Sequence, residues 1–475
     1  MDYNKKVSLL TSAITVNKNL EEVILDSQYL GEILWHNKIG VFSLPDFENK
    51  ITEKFDFLVD EFKKEHKGSV YKDPVFVVTE AFNVGGHTRL MERLASFMPN
   101  KPNLIITRPI AKEVISRLSG FFESLILCSS AGVDSEVGHV KNILKEMLSY
   151  DEAILNIHPD DIHSVIACSL AKKINHKFKV YFVNHADHVF SFGQTISDVW
   201  FEISSSGRKL DTLKGISCEK SFLGIPLFEN FSELKCRKVD VNDQVIYLTA
   251  AAGYKFRPIQ GEGLGKLARE ILKKYPKSIF NVVGCDPLRD YWWWLLKVKY
   301  RHRINLIKKL DYNQYMTLAN KADVYIDSHP MPGGSAFAEQ FISGRLCSGL
   351  LSPFQGFTPL ELLKKSSSDE VLQFLSEGLT ENYESELRNK IKQVHGYNNV
   401  KQRFLDAIYH NKYHSNLIEE IVPWTGDVHF GTLPKIVRIP DHFLVNNNIT
   451  RFALKNSTLV VKLKFLLKKI TIGKK

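Results

Sequence analysis

The sequence predicts an α/β protein built around two parallel β-sheets. Apolar runs of strand length alternate with amphipathic runs of helix length, a pattern typical of parallel strands joined by helices. The alternation forms two arrays of nearly equal size, and a polar stretch at 231–243 separates them. We therefore predict two Rossmann-like domains that face each other across a cleft, with an N-terminal extension and a basic C-terminal tail.

Length and composition are those of a globular protein with more than one core. The chain has 475 residues, of which 44% are hydrophobic and 24% charged, and this length suits two or three domains. Its six cysteines are scattered without a C-x-x-C pair, which excludes a zinc ribbon and a disulfide scaffold and fits a reducing compartment. No apolar run is long enough for a signal peptide or a membrane span, so we predict a cytoplasmic location.

The two arrays define the predicted domains. Strand-length runs occupy 75–81, 104–109, 124–130, 153–159, 180–186 and 198–204 in the first array, and 245–253, 279–284, 304–310 and 323–330 in the second. The predicted boundaries are 1–70 for the N-terminal extension, 71–235 and 244–422 for the two Rossmann-like domains, and 423–475 for the C-terminal segment. Ligands of such sheets bind at the carboxyl ends of strands, near helix N-termini.

One strand–loop–helix segment, 322–344, has the features of an anion site. A strand ends at Asp327, a loop rich in Pro and Gly follows, and a helix begins near Ser335. The glycines Gly333 and Gly334 permit close approach of the backbone to a ligand. Free N–H groups at Gly334, Ser335 and Ala336 would point at an anion such as a diphosphate. An ordinary connection in which Ser335 caps the helix fits these residues equally well.

A lysine follows the first strand of the second array. The segment at 254–258 reads YKFRP, and its Lys255 lies at the predicted carboxyl end of that strand. A lysine in this position can neutralise a leaving diphosphate. For a lone lysine the usual alternative is a solvated loop residue.

Together these segments resemble the GT-B fold glycosyltransferases, and most of all the O-linked N-acetylglucosamine transferases and the bacterial cytoplasmic asparagine N-glucosyltransferases. In that family a Y-K-x-x-P segment follows a strand, which 254–258 match, and an A-D-V-x-x-D strand comes later, which 322–327 match. A loop of Gly and Thr then leads to a helix with an acid. Here 333–336 form the loop, with Ser and Ala in place of two threonines, and Glu339 is the acid. The match covers 245–353.

This resemblance implies a nucleotide-sugar donor, UDP-linked, and no metal or other cofactor. It implies that Lys255 contacts the diphosphate, that Asp327 and the loop bind the donor, and that Glu339 holds the ribose hydroxyls. The tandem helical repeats of the eukaryotic members are absent. Met331 stands where the E-x7-E signature of many retaining GT-B enzymes has its first Glu, so the anomeric outcome stays open.

The first array contains the predicted acceptor side. Gly85 and Gly86 join its first strand to a helix, and in GT-B enzymes such a loop lies over the donor diphosphate. His185 and Asp187, in the segment VNHADH at a strand end, are the predicted catalytic base and the group that sets its tautomer. Satisfying loop backbone groups is an equally good role for them, and His158 is a lesser candidate base. No His, Asp or Cys group has metal-binding spacing, so we predict no metal site.

The C-terminal segment is strongly basic. Residues 451–475 hold one Arg, seven Lys and no acid, so they account for +8 of the net charge of +10. On a helical wheel one face is apolar and is formed by Leu459, Leu463, Leu466, Leu467 and Ile470. This layout predicts a helix lying in an anionic membrane surface, and the alternative is a strand or helix packed on the body. A confined basic tail argues against nucleic-acid binding.

The predicted function is sugar transfer from a nucleotide-sugar to an acceptor. A peripheral enzyme on the cytoplasmic face of the inner membrane would meet lipid-linked acceptors, which points to a bacterial surface glycan such as lipopolysaccharide or capsule. A soluble protein acceptor is the alternative for the transferase. A sugar-nucleotide epimerase and a non-catalytic nucleotide-sugar binder are the alternatives on the same fold.

Overall fold

The computed structural model describes the whole chain except residues 1–2, 38, 84–85, 129–134, 260, 353, 424–435, 441–442, 446 and 473–475. The chain forms two compact units. Unit 1 consists of Met1–Glu202, Lys209–Ser221 and Asp427–Lys475. Unit 2 consists of Ile203–Arg208 and Phe222–Gly426. The described part of each unit contains one mainly parallel sheet, so the α/β class predicted from the alternating pattern is confirmed.

Unit 1 is built on a seven-stranded sheet. Its strands are β1 (Val75–Val78), β2 (Leu104–Ile106), β3 (Leu125–Leu127), β4 (Glu152–Asn156), β5 (Lys179–Val183), β6 (Val199–Glu202) and β7 (Glu219–Phe222). Their order across the sheet is β3-β2-β1-β4-β5-β6-β7, and β1 pairs in parallel with both β2 and β4. The strands end several residues before the apolar runs do, so the remaining residues of those runs form the loops at the carboxyl edge.

Helices precede these strands and alternate with them. They are α1 (Tyr3–Val16), α2 (Leu20–His36), α3 (Pro45–Glu53), α4 (Phe57–Glu65), α5 (Gly86–Ala95), α6 (Lys112–Leu118), α7 (Glu136–Met147), α8 (Ile162–Ile174) and α9 (Ser205–Lys214). The first four helices share one hydrophobic core with the sheet, to which they contribute Ile24, Leu30, Ile51 and Leu58. The N-terminal extension is thus a helical part of unit 1.

Unit 2 is built on a six-stranded parallel sheet. Its strands are β8 (Ile246–Ala250), β9 (Ile279–Val283), β10 (Ile304–Ile307), β11 (Val324–Ile326), β12 (Leu346–Leu350) and β13 (Lys364–Lys365), in the order β10-β9-β8-β11-β12-β13. Its α-helices are α10 (Leu264–Lys274), α11 (Trp294–Tyr300), α12 (Tyr312–Lys321), α13 (Ser335–Ile342), α14 (Ser368–Glu377), α15 (Glu381–His395), α16 (Tyr397–His410) and α17 (Leu417–Ile421). Short 3-10 helices lie at Gly253–Phe256, Tyr291–Trp293, Arg301–Arg303 and Pro359–Leu363.

Each sheet has one point where the strand order reverses. In unit 1 it lies between β1 and β4, and in unit 2 between β8 and β11. At such a point the loops from the two neighbouring strands leave on opposite sides, which opens a crevice at the carboxyl edge. The loops after these four strands carry most of the residues singled out in the sequence.

The C-terminal segment returns to unit 1, where it forms α18 (Asn448–Lys455) and α19 (Leu459–Ile472). Its Ile436, Phe443 and Phe465 are buried in the same core as α2. Polar contacts with α2 reinforce this packing. Tyr29 donates its hydroxyl hydrogen to the carbonyl of Arg438 at 2.8 Å, and Arg438 pairs with Glu32 at 2.6 Å.

Helix α19 has both a packed face and an exposed one. Phe465 is only 3% exposed, so the helix does pack on the body, which was the alternative to a membrane surface. The predicted apolar face lies outward, with Leu459, Leu467 and Ile470 exposed to 69%, 62% and 58%. Among the described helices we find none with the length and apolar character that crossing a bilayer requires.

Candidate functional site

In unit 2, Lys255 lies directly against the loop that follows β11. The 3-10 helix after β8 brings its side chain there, and its Nζ donates to the carbonyl of Pro332 at 2.8 Å. The backbone of Lys255 accepts in turn from the N–H of Met331 at 3.3 Å. Burial lowers the pKa of Lys255, and Asp327 nearby opposes this shift. The two segments that carry the sequence resemblance are therefore joined at the reversal point of the sheet.

Asp327 fixes the backbone of this loop through hydrogen bonds. Its carboxylate accepts from the backbone N–H groups of Ser328 at 2.8 Å and Gly333 at 3.0 Å. It also pairs with Nζ of Lys364 at 2.7 Å, and both side chains are buried. With its oxygens directed at the loop and at Lys364, Asp327 is placed to shape the loop. Its direct contact with a donor stays a prediction.

Gly333 is required by this close approach. A Cβ on Gly333 would lie 2.8 Å from Oδ1 of Asp327, which is closer than side chains tolerate. A larger residue would therefore push the loop away from the carboxylate that fixes it.

Helix α13 begins at Ser335 with Gly334 in the N-cap position. Since Gly334 has no side chain, it cannot cap the first-turn N–H groups, and the alternative in which Ser335 caps the helix is not what the structure has. Gly334, Ser335 and Ala336 are partly exposed, and Glu339 lies one turn further on. An uncapped helix N-terminus next to a lysine is suited to an anion such as a diphosphate.

Sequence reasoning missed two residues at this site, Lys364 and His329. Burial opposes the charge of Lys364, but Asp327 and Glu361 raise its pKa. Burial, with Lys364, lowers the pKa of His329 to about 4, so its imidazole is neutral. Within the described residues its Nδ1 has no hydrogen-bond partner. The pair of lysines at 364–365 is typical of an exposed surface, so the sequence offers no signal for a buried Lys364.

In unit 1, three histidines meet at the carboxyl edge of the sheet. His87 follows β1 near the start of α5, while His158 and His185 follow β4 and β5. The ring of His87 lies 4.0 Å from that of His185 and 5.4 Å from that of His158, between ring centres. The sequence singled out His185 and His158 but not His87. The feature of the sequence that could have identified His87 is its position directly after the Gly85–Gly86 pair.

Backbone carbonyls fix the tautomers of two of these rings. Nδ1 of His185 lies 3.3 Å from the carbonyl of Val183, and Nε2 of His87 lies 2.9 Å from that of Asn156. Because a carbonyl only accepts, each of these nitrogens donates, and the other nitrogen of each ring keeps its lone pair. Burial lowers the pKa of His87 to about 4 and that of His158 to about 3. Burial, together with His87 and His158, lowers the pKa of His185 well below its ordinary value.

The predicted partner of His185 has a different contact. Asp187 is fully buried and its Oδ1 lies 3.3 Å from Nδ1 of His188. The carbonyl of Val183, and not Asp187, therefore contacts the tautomer-setting nitrogen of His185. A catalytic role for Asp187 stays a prediction. Gly85 lies outside the described residues, and Gly86 is the first residue of α5.

Asp161 and Asp160 organise the loops beside the three histidines. Asp161 caps α8 by accepting from the N–H of Ser164 at 3.0 Å, and it also accepts from the hydroxyls of Thr79 and Thr107. Asp160 pairs with Arg108 at 3.0 Å. Loops after β1, β2 and β4 are thereby tied together, which gives the histidine cluster a fixed frame.

Known proteins resemble this chain in structure but not in sequence. No family model matches the chain, and no curated protein matches its sequence. Among solved structures, Anabaena Alr3699/HepE in complex with UDP is similar with a TM-score of 0.54 and 11% identity, over 71% of this chain and 100% of that one. The lipopolysaccharide outer core galactosyltransferase WaaB is similar with a TM-score of 0.50 and 14% identity, over 72% of this chain and 100% of that one. The chain has the GT-B fold.

This likeness confirms the predicted fold class, and at sequence identities this low it shows the fold alone. A UDP-GlcNAc 2-epimerase from Neisseria meningitidis is similar with a TM-score of 0.46 and 16% identity, over 72% of this chain and 100% of that one. That similarity is too weak to favour sugar transfer or epimerisation. The resemblance to the O-linked N-acetylglucosamine transferases and asparagine N-glucosyltransferases rests on the motifs at 254–258 and 322–339 alone.

Proposed function

We propose that the protein is a glycosyltransferase that uses a nucleotide-sugar donor, with the donor bound by unit 2. The contact between Lys255 and the loop before α13 carries this proposal. A donor's diphosphate bears negative charge that grows as the sugar departs. A lysine beside an uncapped helix N-terminus offers positive charge and N–H donors to that group.

The loop is preorganised for this task by its buried anchors. Asp327 fixes Gly333 by hydrogen bonds, and Lys364 balances the charge of Asp327. Because these groups are already paired, they need not rearrange when a diphosphate arrives. Preorganised charge of this kind stabilises a leaving group more than mobile charge in water does.

We assign activation of the acceptor to unit 1. In the transfer, an acceptor oxygen forms a bond to the anomeric carbon, the bond from that carbon to the diphosphate breaks, and the acceptor's proton passes to a base. His185 suits the role of base because its imidazole is neutral and one nitrogen keeps its lone pair. The nucleoside diphosphate then leaves with the bonding electron pair.

Product analysis tests the proposal directly. The protein is incubated with a panel of UDP-sugars, with and without an acceptor mixture, and nucleotide and sugar products are measured. We expect UDP release that increases with an acceptor. Appearance of an epimerised UDP-sugar without UDP release would replace the transferase by the epimerase alternative, and binding without any turnover would indicate a non-catalytic binder.

Glu339 provides a binding test that is independent of turnover. It lies on α13 one turn beyond the loop and is the acid expected to accept from the ribose hydroxyls. We expect Glu339→Ala to weaken UDP binding by about 1.5–3 kcal/mol, the range for a hydrogen bond to a charged group. Calorimetry measures this, with Glu270→Ala on α10 as the control. Equal UDP affinity in the wild type and Glu339→Ala would remove Glu339 from the donor site.

We further propose that the acceptor is lipid-linked, as for a bacterial surface glycan such as lipopolysaccharide or capsule. The exposed leucines and isoleucine of α19, set among lysines, support contact with an anionic membrane surface. Each lysine near such a surface contributes about 1 kcal/mol, and salt screens this attraction. A cytoplasmic protein acceptor is the alternative.

Flotation with anionic liposomes at low salt tests the membrane contact. Because Phe465 belongs to the core, deleting the tail would disturb unit 1, so exposed residues are substituted instead. We expect the wild type to float and the triple variant Leu459→Ser, Leu467→Ser, Ile470→Ser to stay in solution. The control is a triple serine variant of Leu9, Val16 and Phe57, which are similarly exposed on unit 1. If the wild type does not float, the protein acceptor becomes the better hypothesis.

A further inference from the structure

Three potential metal ligands converge between α7 and α8 in unit 1. Glu136 and His139 lie three residues apart on α7 and so share one face, and His163 lies on α8. Each offers a ligand atom, and these atoms all lie within 4.8 Å of one another. Nε2 of His163 already contacts Oε2 of Glu136 at 2.6 Å. The three groups are thus gathered around one point.

His139 is oriented as metal-binding histidines are. Within the described residues its Nε2 is buried without a hydrogen-bond partner. The backbone of Thr107 interacts with the same ring. A hydrogen on Nδ1 leaves the lone pair of Nε2 for a metal ion.

The surroundings hold these ligands rigidly. The carboxylate of Glu21 accepts from the backbone N–H groups of Glu136 and Val137, which fixes the start of α7. Asp161 lies close enough to His139 and His163 to interact electrostatically with both, and its own oxygens are held by Thr79 and Ser164. Outer groups of this kind orient metal ligands and add negative charge near a cation.

We propose that Glu136, His139 and His163 form a binding site for a divalent transition-metal ion of the Zn²⁺ type. Two imidazole nitrogens and one carboxylate suit Zn²⁺ and its neighbours, whereas Mg²⁺ and Ca²⁺ prefer oxygen ligands throughout. Three protein ligands leave a fourth position for water. The ion takes the place of the hydrogen between His163 and Glu136, and His163 then carries its hydrogen on Nδ1.

This site does not depend on the proposed sugar transfer. It would link the N-terminal ends of α7 and α8, so its expected effect is on the stability of unit 1. The prediction of no metal site rested on the spacing of His, Asp and Cys, whereas this site combines a Glu–His pair on α7 with a histidine on α8.

Metal analysis of the full-length, tag-free protein tests the proposal. The chain is stripped with a chelator, dialysed against Zn²⁺, Co²⁺ or Mg²⁺, and assayed by mass spectrometry of the metal and by thermal unfolding. We expect one equivalent of Zn²⁺, a higher Tm with Zn²⁺, and visible absorption bands of low-coordinate Co²⁺. Mg²⁺ should neither bind at this stoichiometry nor raise the Tm.

Variants locate the ion. Loss of a residue that only hydrogen-bonds to a metal ligand weakens metal binding by about 10–100-fold. His139→Ala and the shape-preserving Glu136→Gln each remove a ligand, so each should weaken Zn²⁺ binding by more than that. His176→Ala, an exposed histidine just beyond α8, is the matched control and should bind like the wild type. Absence of Zn²⁺ binding in the wild type, or unchanged affinity in both His139→Ala and Glu136→Gln, would overturn the proposal.

Discussion

Replacing Lys255 with methionine is expected to lower turnover about a hundredfold or more, the size of effect seen when one preorganised donor to the developing charge is removed. Methionine keeps most of the side chain's length and its apolar packing but removes the charge. Among the residues that the structure describes, the substitution removes the side-chain hydrogen bond to the carbonyl of Pro332, so folding should change little. Steady-state kinetics measures turnover, and thermal unfolding checks the fold.

Two further variants sharpen this result. Lys266→Met removes an exposed lysine from α10 in the same unit and should retain full turnover. Lys255→Arg keeps the charge with a different shape and should lose less turnover than Lys255→Met. If Lys255→Met turns over normally while Glu339→Ala still weakens UDP binding, the donor site stands but Lys255 does not stabilise the leaving group.

Replacing His185 with alanine is expected to lower turnover by about 10²–10⁴-fold, the usual contribution of a positioned base. As a base His185 must be neutral, so wild-type activity should fall as the pH drops through its pKa. Burial and the neighbours His87 and His158 hold that pKa well below the ordinary 6.5, so this acidic limb should lie well below pH 6.5. The variant should lose the limb together with most of the activity.

Substitution of the neighbouring His87 also tests whether His185 is the base, because it should shift the pH profile in a known direction. His87→Ala removes a stacked ring that depresses the pKa of His185, so the acidic limb should move to higher pH. His176→Ala should leave the profile unchanged. If His185→Ala keeps both its activity and its acidic limb, the base lies elsewhere, and His158 and Asp187 are the next to test.

The sequence predicted the local features of the fold well. Continuous apolar runs such as 75–78 and 180–183 identified buried strands, because strands covered on both faces are apolar at every position. Strands β7, β12 and β13 were not predicted, and of these Leu346–Leu350 of β12 is buried throughout. Glu219–Phe222 is half polar and Lys364–Lys365 is two lysines, so neither has the apolar signal. Strands β7 and β13 each lie at a sheet edge, beside the strand that precedes them in the sequence.

In the candidate site, too, residues in local sequence motifs were predicted and residues that matter through long-range contacts were not. Lys255 and the loop at 333–336 were found because each lies in a recognisable local motif. His87 and Lys364 were missed because what matters about them is proximity, to His185 and to Asp327, across strands that are not consecutive in sequence. The order of strands decides such proximity, and one sequence does not reveal that order.

The return of the C-terminal segment to unit 1 has a consequence for synthesis on the ribosome. Ile436, Phe443 and Phe465 complete the core of unit 1, yet all of 222–426 must be translated before they emerge. At typical elongation rates this delay is on the order of ten seconds or more. During that time the apolar surface of α2 that these residues cover stays open to solvent, while unit 2, mostly one continuous stretch, has all it needs to fold. The nascent chain thus offers chaperones an exposed, late-closing surface in a unit that is mostly made before unit 2.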